Sequence, residues 1–246
     1  MSKVAIIASG FVGRAWAISF SRAGHDVALW DQDPQAPERA LTYIHGLLPD
    51  LEASDLLNGV AAQVVEARMR PGAALEAGLD GAAYVQENAP VDVEVKRKVF
   101  AQLDAAAAPD AVLASSTSAI LPSAFTATLK GRARCLVVRP INPPYLIPAA
   151  EIVPAPWTDA ATVERAVSLL RSAGHAPIMM KREIDGFVMN RLRGALLEEA
   201  FRLVAKDYAS VEDIDTGLRG GLALRWSFIG PFEDPLTKEN GRSHAH

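Results

Sequence analysis

The first residues whose types and spacing could do chemistry are Ala8-Ser9-Gly10-Phe11-Val12-Gly13, a small-residue turn between an apolar run and an amphipathic one. A turn that cradles a dinucleotide pyrophosphate carries glycine at its first, third and sixth positions. Here alanine holds the first position and glycine the other two. Gly10 would let the backbone approach the pyrophosphate, Gly13 would let the following helix pack close to the strand, and the helix start would attract the anion. Ser9, Gly10, Phe11, Val12 and Gly13 are therefore the candidate cofactor-binding turn. Asp31 ends the next apolar run, where a carboxylate accepts bonds from the adenosine ribose hydroxyls. Gln32 and Asp33 follow it rather than an arginine, which favours NAD over NADP. An ordinary tight turn with a helix-capping Asp31 would read the same way.

These residues need elements to position them. Short apolar runs alternate with amphipathic stretches, the pattern of a parallel sheet covered by helices. Strands are expected over Lys3–Ala8, Asp26–Trp30, Ala82–Gln86, Ala111–Ala114, Arg134–Val138 and Ala176–Met180, with Glu151–Val153 extended. Helices are expected from Phe11 to about Ala23, from Pro34 and Pro37 to about Leu48, and over Ala73–Leu79, Val91–Ala107, Leu121–Leu129 and Thr158–Ala173, with Thr158 as N-cap. Between Leu51 and Leu79, Ser54 and Asn58-Gly59 mark breaks, and Val65–Met69 reads as a strand. The proline-rich PINPPYLIP segment excludes regular structure. Gly186 to Lys206 is one long amphipathic pattern, and Ser210 followed by Glu212 and Asp213 reads as a second helix start.

A boundary at Glu183–Asp185 follows. It joins a Rossmann-like doubly wound α/β domain, residues 1–183, to a smaller all-α domain, residues 184–246. Leu222, Leu224, Trp226, Phe228 and Phe232 need cover, from the first domain or another subunit. Asp234–His246 reads as a frayed tail.

Composition sets outer limits. In 246 residues, 50% are apolar and 22% charged, enough to bury a core and to exclude disorder as the main state. The formal charge of −4 leaves no cationic excess for nucleic acid. No run is long and apolar enough for a membrane span, and Val4–Ala8 is too short for a signal peptide. One cysteine, Cys135, excludes an internal disulfide and a multi-thiolate metal site, and no metal is expected. A cytoplasmic protein is the resulting expectation.

Six strings carry a family resemblance: SGFVGRAW (Ser9–Trp16), QENAPVDVEVKRKVFAQLD (Gln86–Asp104), ASSTSAILPS (Ala114–Ser123), RPINPPYLIPAAEIVP (Arg139–Pro154), EIDGFVMNRL (Glu183–Leu192) and FIGPFE (Phe228–Glu233). In this order and spacing the chain resembles the 3-hydroxyacyl-CoA dehydrogenase family, in its branch of L-gulonate 3-dehydrogenase (lambda-crystallin) and carnitine dehydrogenase-like proteins. The resemblance implies an NAD domain, a helical domain that supports homodimers, and oxidation of a 3-hydroxyl to a ketone on a small hydroxy acid or its acyl-CoA. It carries the catalytic serine, glutamate and asparagine onto Ser118, Glu151 and Asn190, and NAD contacts onto Asp31, Lys96, Ser118 and Asn142. Structural roles compete at each position. Ser118 would cap the helix before Leu121, Glu151 would be a solvated strand-end charge, Asn190 would pair within its helix, and Lys96 would lie on a solvated face.

Three departures bear on mechanism. The family places histidine 21 residues beyond the serine and 12 before the glutamate, and that position here is Arg139. In the family reaction this imidazole takes the hydroxyl proton as hydride leaves, and the glutamate orients it. Imidazole titrates near neutrality, whereas a guanidinium stays protonated and cannot act as a base. His25, His45, His175, His244 and His246 offer no obvious substitute. Val91 stands where the family has an NAD-contacting glutamate, and the helical domain is short beside the family's. Three readings result: a dehydrogenase impaired at Arg139, a non-catalytic NAD-binding or structural homologue, and a protein whose Arg139, paired with Glu151, holds a substrate carboxylate for other chemistry.

Overall fold

A computed structural model describes residues 2–233. Two compact units result, one through Met189 and one from Asn190.

The first unit is an eight-stranded sheet. Its strands are β1 (Lys3–Ile7), β2 (Asp26–Trp30), β3 (Met69–Pro71), β4 (Tyr84–Glu87), β5 (Val112–Ser115), β6 (Cys135–Pro140), β7 (Ala149–Pro154) and β8 (Ala176–Met179). Its helices are α1 (Phe11–Arg22), α2 (Ala36–Ala53), α3 (Ala62–Glu66), α4 (Leu75–Leu79), α5 (Val93–Ala106), α6 (Pro122–Thr126) and α7 (Ala160–Ser172). The spatial order β3-β2-β1-β4-β5-β6-β7-β8 reverses direction beside β1, so the chain winds both ways from its first strand. This is the expected doubly wound architecture, and it opens a crevice at the carboxyl ends of β1 and β4.

Both faces of the sheet are covered, which is why its strands read as continuous apolar runs. Side chains alternate along β1: Val4 and Ile6 join Trp16, Phe20, Ile44 and Leu170 on one face, while Ala5 and Ile7 join Phe100, Leu103 and Phe125 on the other. Cys135 is buried in the second core, and burial pushes its thiol up to about 12.

Four expectations need correction. β7 runs antiparallel to β6, because the eight residues between them are too few for a parallel crossover. α2 continues through Pro49 to Ala53, held by the burial of Leu48 and Leu51 on either side of the proline. The segment read as a strand over Val65–Met69 is divided between α3 and β3; Val65 packs in the core as part of a helix. Thr158 does not cap α7. Its hydroxyl donates to Cys135 O at 2.6 Å and accepts Ala155 N at 2.9 Å, and Asp159 takes the cap position.

α8 (Phe187–Ala205) begins in the first unit, where Phe187 is buried, and continues into the second. The second unit adds α9 (Val211–Gly217), a π-helical segment at Leu218–Ala223, and α10 (Leu224–Trp226). Ser210 caps α9 as expected, its Oγ accepting Asp213 N at 3.1 Å. Leu222, Leu224, Trp226, Phe228 and Phe232 are exposed. The tail expectation for Asp234–His246, with His244 and His246, lies outside the described residues. No described helix is long and apolar enough to cross a membrane.

Candidate functional site

The glycine turn forms where β1 gives way to α1. Ala8 takes φ +65°, a left-handed conformation that suits glycine, and its N–H donates to Trp30 O at 2.9 Å. Gly13 is obligatory: a Cβ there would lie 2.2 Å from Ala8 O. At Gly10 a Cβ would meet nothing within 4 Å, so the approach to the turn is open. No side chain caps α1 and no acid occupies its first turn. Its first N–H groups, which lack intrahelical acceptors, are left for an anion. Phe11 is 59% exposed beside them. Open backbone, bare helix start and short turn fit a dinucleotide pyrophosphate.

Asp31 reaches across from β2 to this turn. Its Oδ2 accepts Ser9 N at 2.8 Å and Ser9 Oγ at 3.2 Å, and its Oδ1 accepts Asp33 N at 3.1 Å. It does not serve as the N-cap of α2, a position held by Gln35.

Ser118 lies three residues past β5, half-buried, in the loop leading to α6. It is not the N-cap of α6, which is Leu121. Asn142 is exposed in the loop after β6, ahead of a cis peptide to Pro143.

Arg139 and Glu151 are register partners across β6 and β7, and Arg139 NH1 donates to Glu151 Oε2 at 2.5 Å. Glu151 is fully buried within its strand, so it is no solvated strand-end charge. Its other oxygen, Oε1, accepts Val188 N at 2.8 Å and Met189 N at 2.9 Å, in the first turn of α8. One carboxylate thus satisfies two orphan helix donors and one guanidinium. Asn190 is half-buried in α8, at the start of the second unit.

Lys96 does not lie on a solvated face. It is 1% exposed, and its ammonium donates to both oxygens of Glu87, at 2.8 and 2.9 Å, and to Ala89 O at 2.8 Å. Val91 is exposed just before α5. None of the three described histidines is a spare base. His45 pairs with Glu66 on the surface, His25 bonds Ser172 Oγ, and His175 bonds Ser19 Oγ and Pro148 O.

Sequence reasoning missed the polar groups beneath the crevice: Gln86, Glu87, Asn88, Ser115 and Ser116. The available signal was polar residues ending two otherwise apolar strands, a place where buried polar groups must find partners.

With this geometry in view, the comparisons are consistent. Residues 3–184 match the NAD-binding domain of 3-hydroxyacyl-CoA dehydrogenase, and residues 186–234 match its C-terminal domain. The lambda-crystallin homolog of Bos taurus is 42% identical over 94% of this chain and 72% of its own length. An L-carnitine dehydrogenase of Streptomyces coelicolor is 37% identical over 93% of this chain and 71% of its own. Among solved structures, 3-hydroxybutyryl-CoA dehydrogenase from Escherichia coli K12 superposes with TM-score 0.82 at 31% identity, over 89% of this chain and 46% of that one. FHMPC 5-dehydrogenase, an NAD+-dependent dismutase, gives TM-score 0.85 at 31% identity over 98% of this chain and 76% of that one. Both domain matches follow one another along the chain in family order, over the glycine turn, the paired strands and the linking helix alike. The chain belongs to the 3-hydroxyacyl-CoA dehydrogenase family of NAD-binding oxidoreductases.

Proposed function

We propose that this protein binds NAD at the Ser9–Gly13 turn and takes as substrate a small 3-hydroxy acid or its CoA thioester, which it oxidises slowly because Arg139 holds the place of the proton-accepting imidazole. The observation that carries this reading is the Arg139–Glu151 pair at adjacent positions of β6 and β7. Glu151 orients whatever side chain stands at 139, and here it orients a permanent cation. NAD supplies the hydride acceptor when bound. Gly10 and the start of α1 hold its pyrophosphate, Asp31 takes its adenosine ribose, and Ser118 and Asn142 support the nicotinamide end. Ser118 and Asn190 hydrogen-bond the substrate oxygens. The guanidinium at 139 binds and polarises an oxygen or a carboxylate, and guanidinium as a class does not serve as a general base.

A general base contributes about 10²–10⁴ in rate. Arg139→His is therefore expected to raise NADH formation by up to about that factor on a panel of 3-hydroxybutyrate, carnitine, L-gulonate and a 3-hydroxyacyl-CoA. An unchanged rate in a folded, NAD-binding Arg139→His protein would refute the assignment of position 139. We further propose a homodimer, supported by the exposed apolar side chains of the second unit.

A further inference from the structure

β5 and the residue after it present two adjacent serines that enter different polar networks. Ser115 Oγ donates to Glu87 Oε2 at 2.6 Å, and Glu87 holds Lys96 on both oxygens. Glu87 Oε1 also accepts Ala89 N at 2.5 Å, while Lys96 donates to Ala89 O. Glu87, Lys96 and Ser115 are at most 1% exposed, and all three ammonium donors are spent. The circuit continues two residues into the next loop, because Thr117 N donates to Ser115 Oγ at 3.2 Å.

Ser116 belongs to the second network. Its Oγ accepts Trp16 Nε1 at 3.0 Å and Gln86 Nε2 at 2.7 Å, and donates to Asn88 Oδ1 at 2.7 Å. Gln86 Nε2 also reaches Val138 O at 3.1 Å, next to Arg139. Asn88 Nδ2 reaches Ile7 O at 3.1 Å, next to Ala8. The two networks grip the carboxyl ends of β4 and β5 and join them to β1, β6 and α1. In strand order, the Asp31 end of the crevice lies over β2, the pyrophosphate turn over β1, and β4 and β5 follow. A dinucleotide extended along that order carries its nicotinamide over β4 and β5.

We propose that Ser115 and Ser116 are positioning residues for the nicotinamide end of NAD. They fix the backbone from which the Ser118 loop and the Asn88–Pro90 segment rise, and Lys96 acts through Glu87 and Ala89 instead of touching the cofactor. A buried ion pair adds little net stability, but a fully satisfied polar network fixes one geometry. The proposal rests on the NAD reading above. Its test is calorimetric titration of the full chain with NAD and with ADP-ribose, which lacks the nicotinamide.

Ser115→Ala and Ser116→Ala should each weaken NAD by roughly three- to thirtyfold, while ADP-ribose affinity stays within about twofold. Ser116→Thr, which keeps the hydroxyl, should restore NAD binding. Equal losses for both ligands would reduce the serines to general structural roles and overturn the proposal, as would unchanged NAD affinity in both alanine variants. If the unsubstituted protein binds neither ligand, the NAD reading itself fails and takes this one with it.

Discussion

Ala8 occupies a backbone conformation that costs an L-residue about 1–2 kcal/mol, and it does so where this type of turn ordinarily has glycine. The rest of the turn holds it there: its N–H is bonded to Trp30 O, and its carbonyl packs where a side chain on Gly13 would be. Ala8→Gly relieves the strain but adds freedom to the unfolded chain, so the net gain is about 0.5–1 kcal/mol. The expected result is a higher urea midpoint at unchanged slope. A lower midpoint would mean that the Ala8 methyl packs more usefully than its torsion harms. The glycine turn and Asp31 were legible in sequence because local backbone chemistry dictates them. The bond from Asp31 to Ser9 was not, because it joins residues 22 apart through the pairing of β1 and β2. Lys96 misled for a related reason: a lysine in EVKRK looks solvated until Glu87, nine positions earlier, is folded beneath it.

Elements with a clear period and clear stops fell where the residues put them: β2 spans Asp26–Trp30 as expected, and α1, α5 and α8 agree to within two residues at either end. The failures were elements defined by partners. β3 is three residues long and pairs only with β2, so no apolar pattern marks it. α2 ignores a proline because two buried leucines outweigh the lost bond.

Elements are also clipped together by buried imidazoles. His175, at the start of β8, donates from Nδ1 to Pro148 O, so its Nε2 accepts Ser19 Oγ of α1 at 2.7 Å. His25 ties the start of β2 to Ser172 of α7. Burial lowers the pKa of both rings, so the native state keeps them neutral. The unfolded chain protonates first, at about pH 6.5. These contributions to stability are complete above that pH and decline as pH falls from it toward the lowered native values. Urea midpoints should therefore drop between about pH 7.5 and 5.5, and His175→Gln should flatten the profile. A flat profile in the unsubstituted protein would show that neither clip senses protons.

At the scale of the whole molecule, the double winding was readable from the alternation of runs, and the helical character of the second unit from its long period. The cover for that unit was not readable. Phe201, Phe228 and Phe232 are 70%, 76% and 85% exposed. Apolar surface of this kind favours association, so sedimentation should show mass rising with concentration toward a dimer. Phe228→Asp should shift that rise to higher concentration. A constant monomer mass would remove the homodimer proposal.

The doubly used carboxylate of Glu151 has a consequence for heredity. At site 139 a hydrogen-bond donor meets Oε2, while Oε1 is engaged by two amides at the start of α8. Histidine and arginine both supply such a donor, and a single-nucleotide change separates their codons. The two amide bonds to Oε1 do not involve site 139, so the anchor they give the start of α8 does not depend on which of the two residues is inherited there.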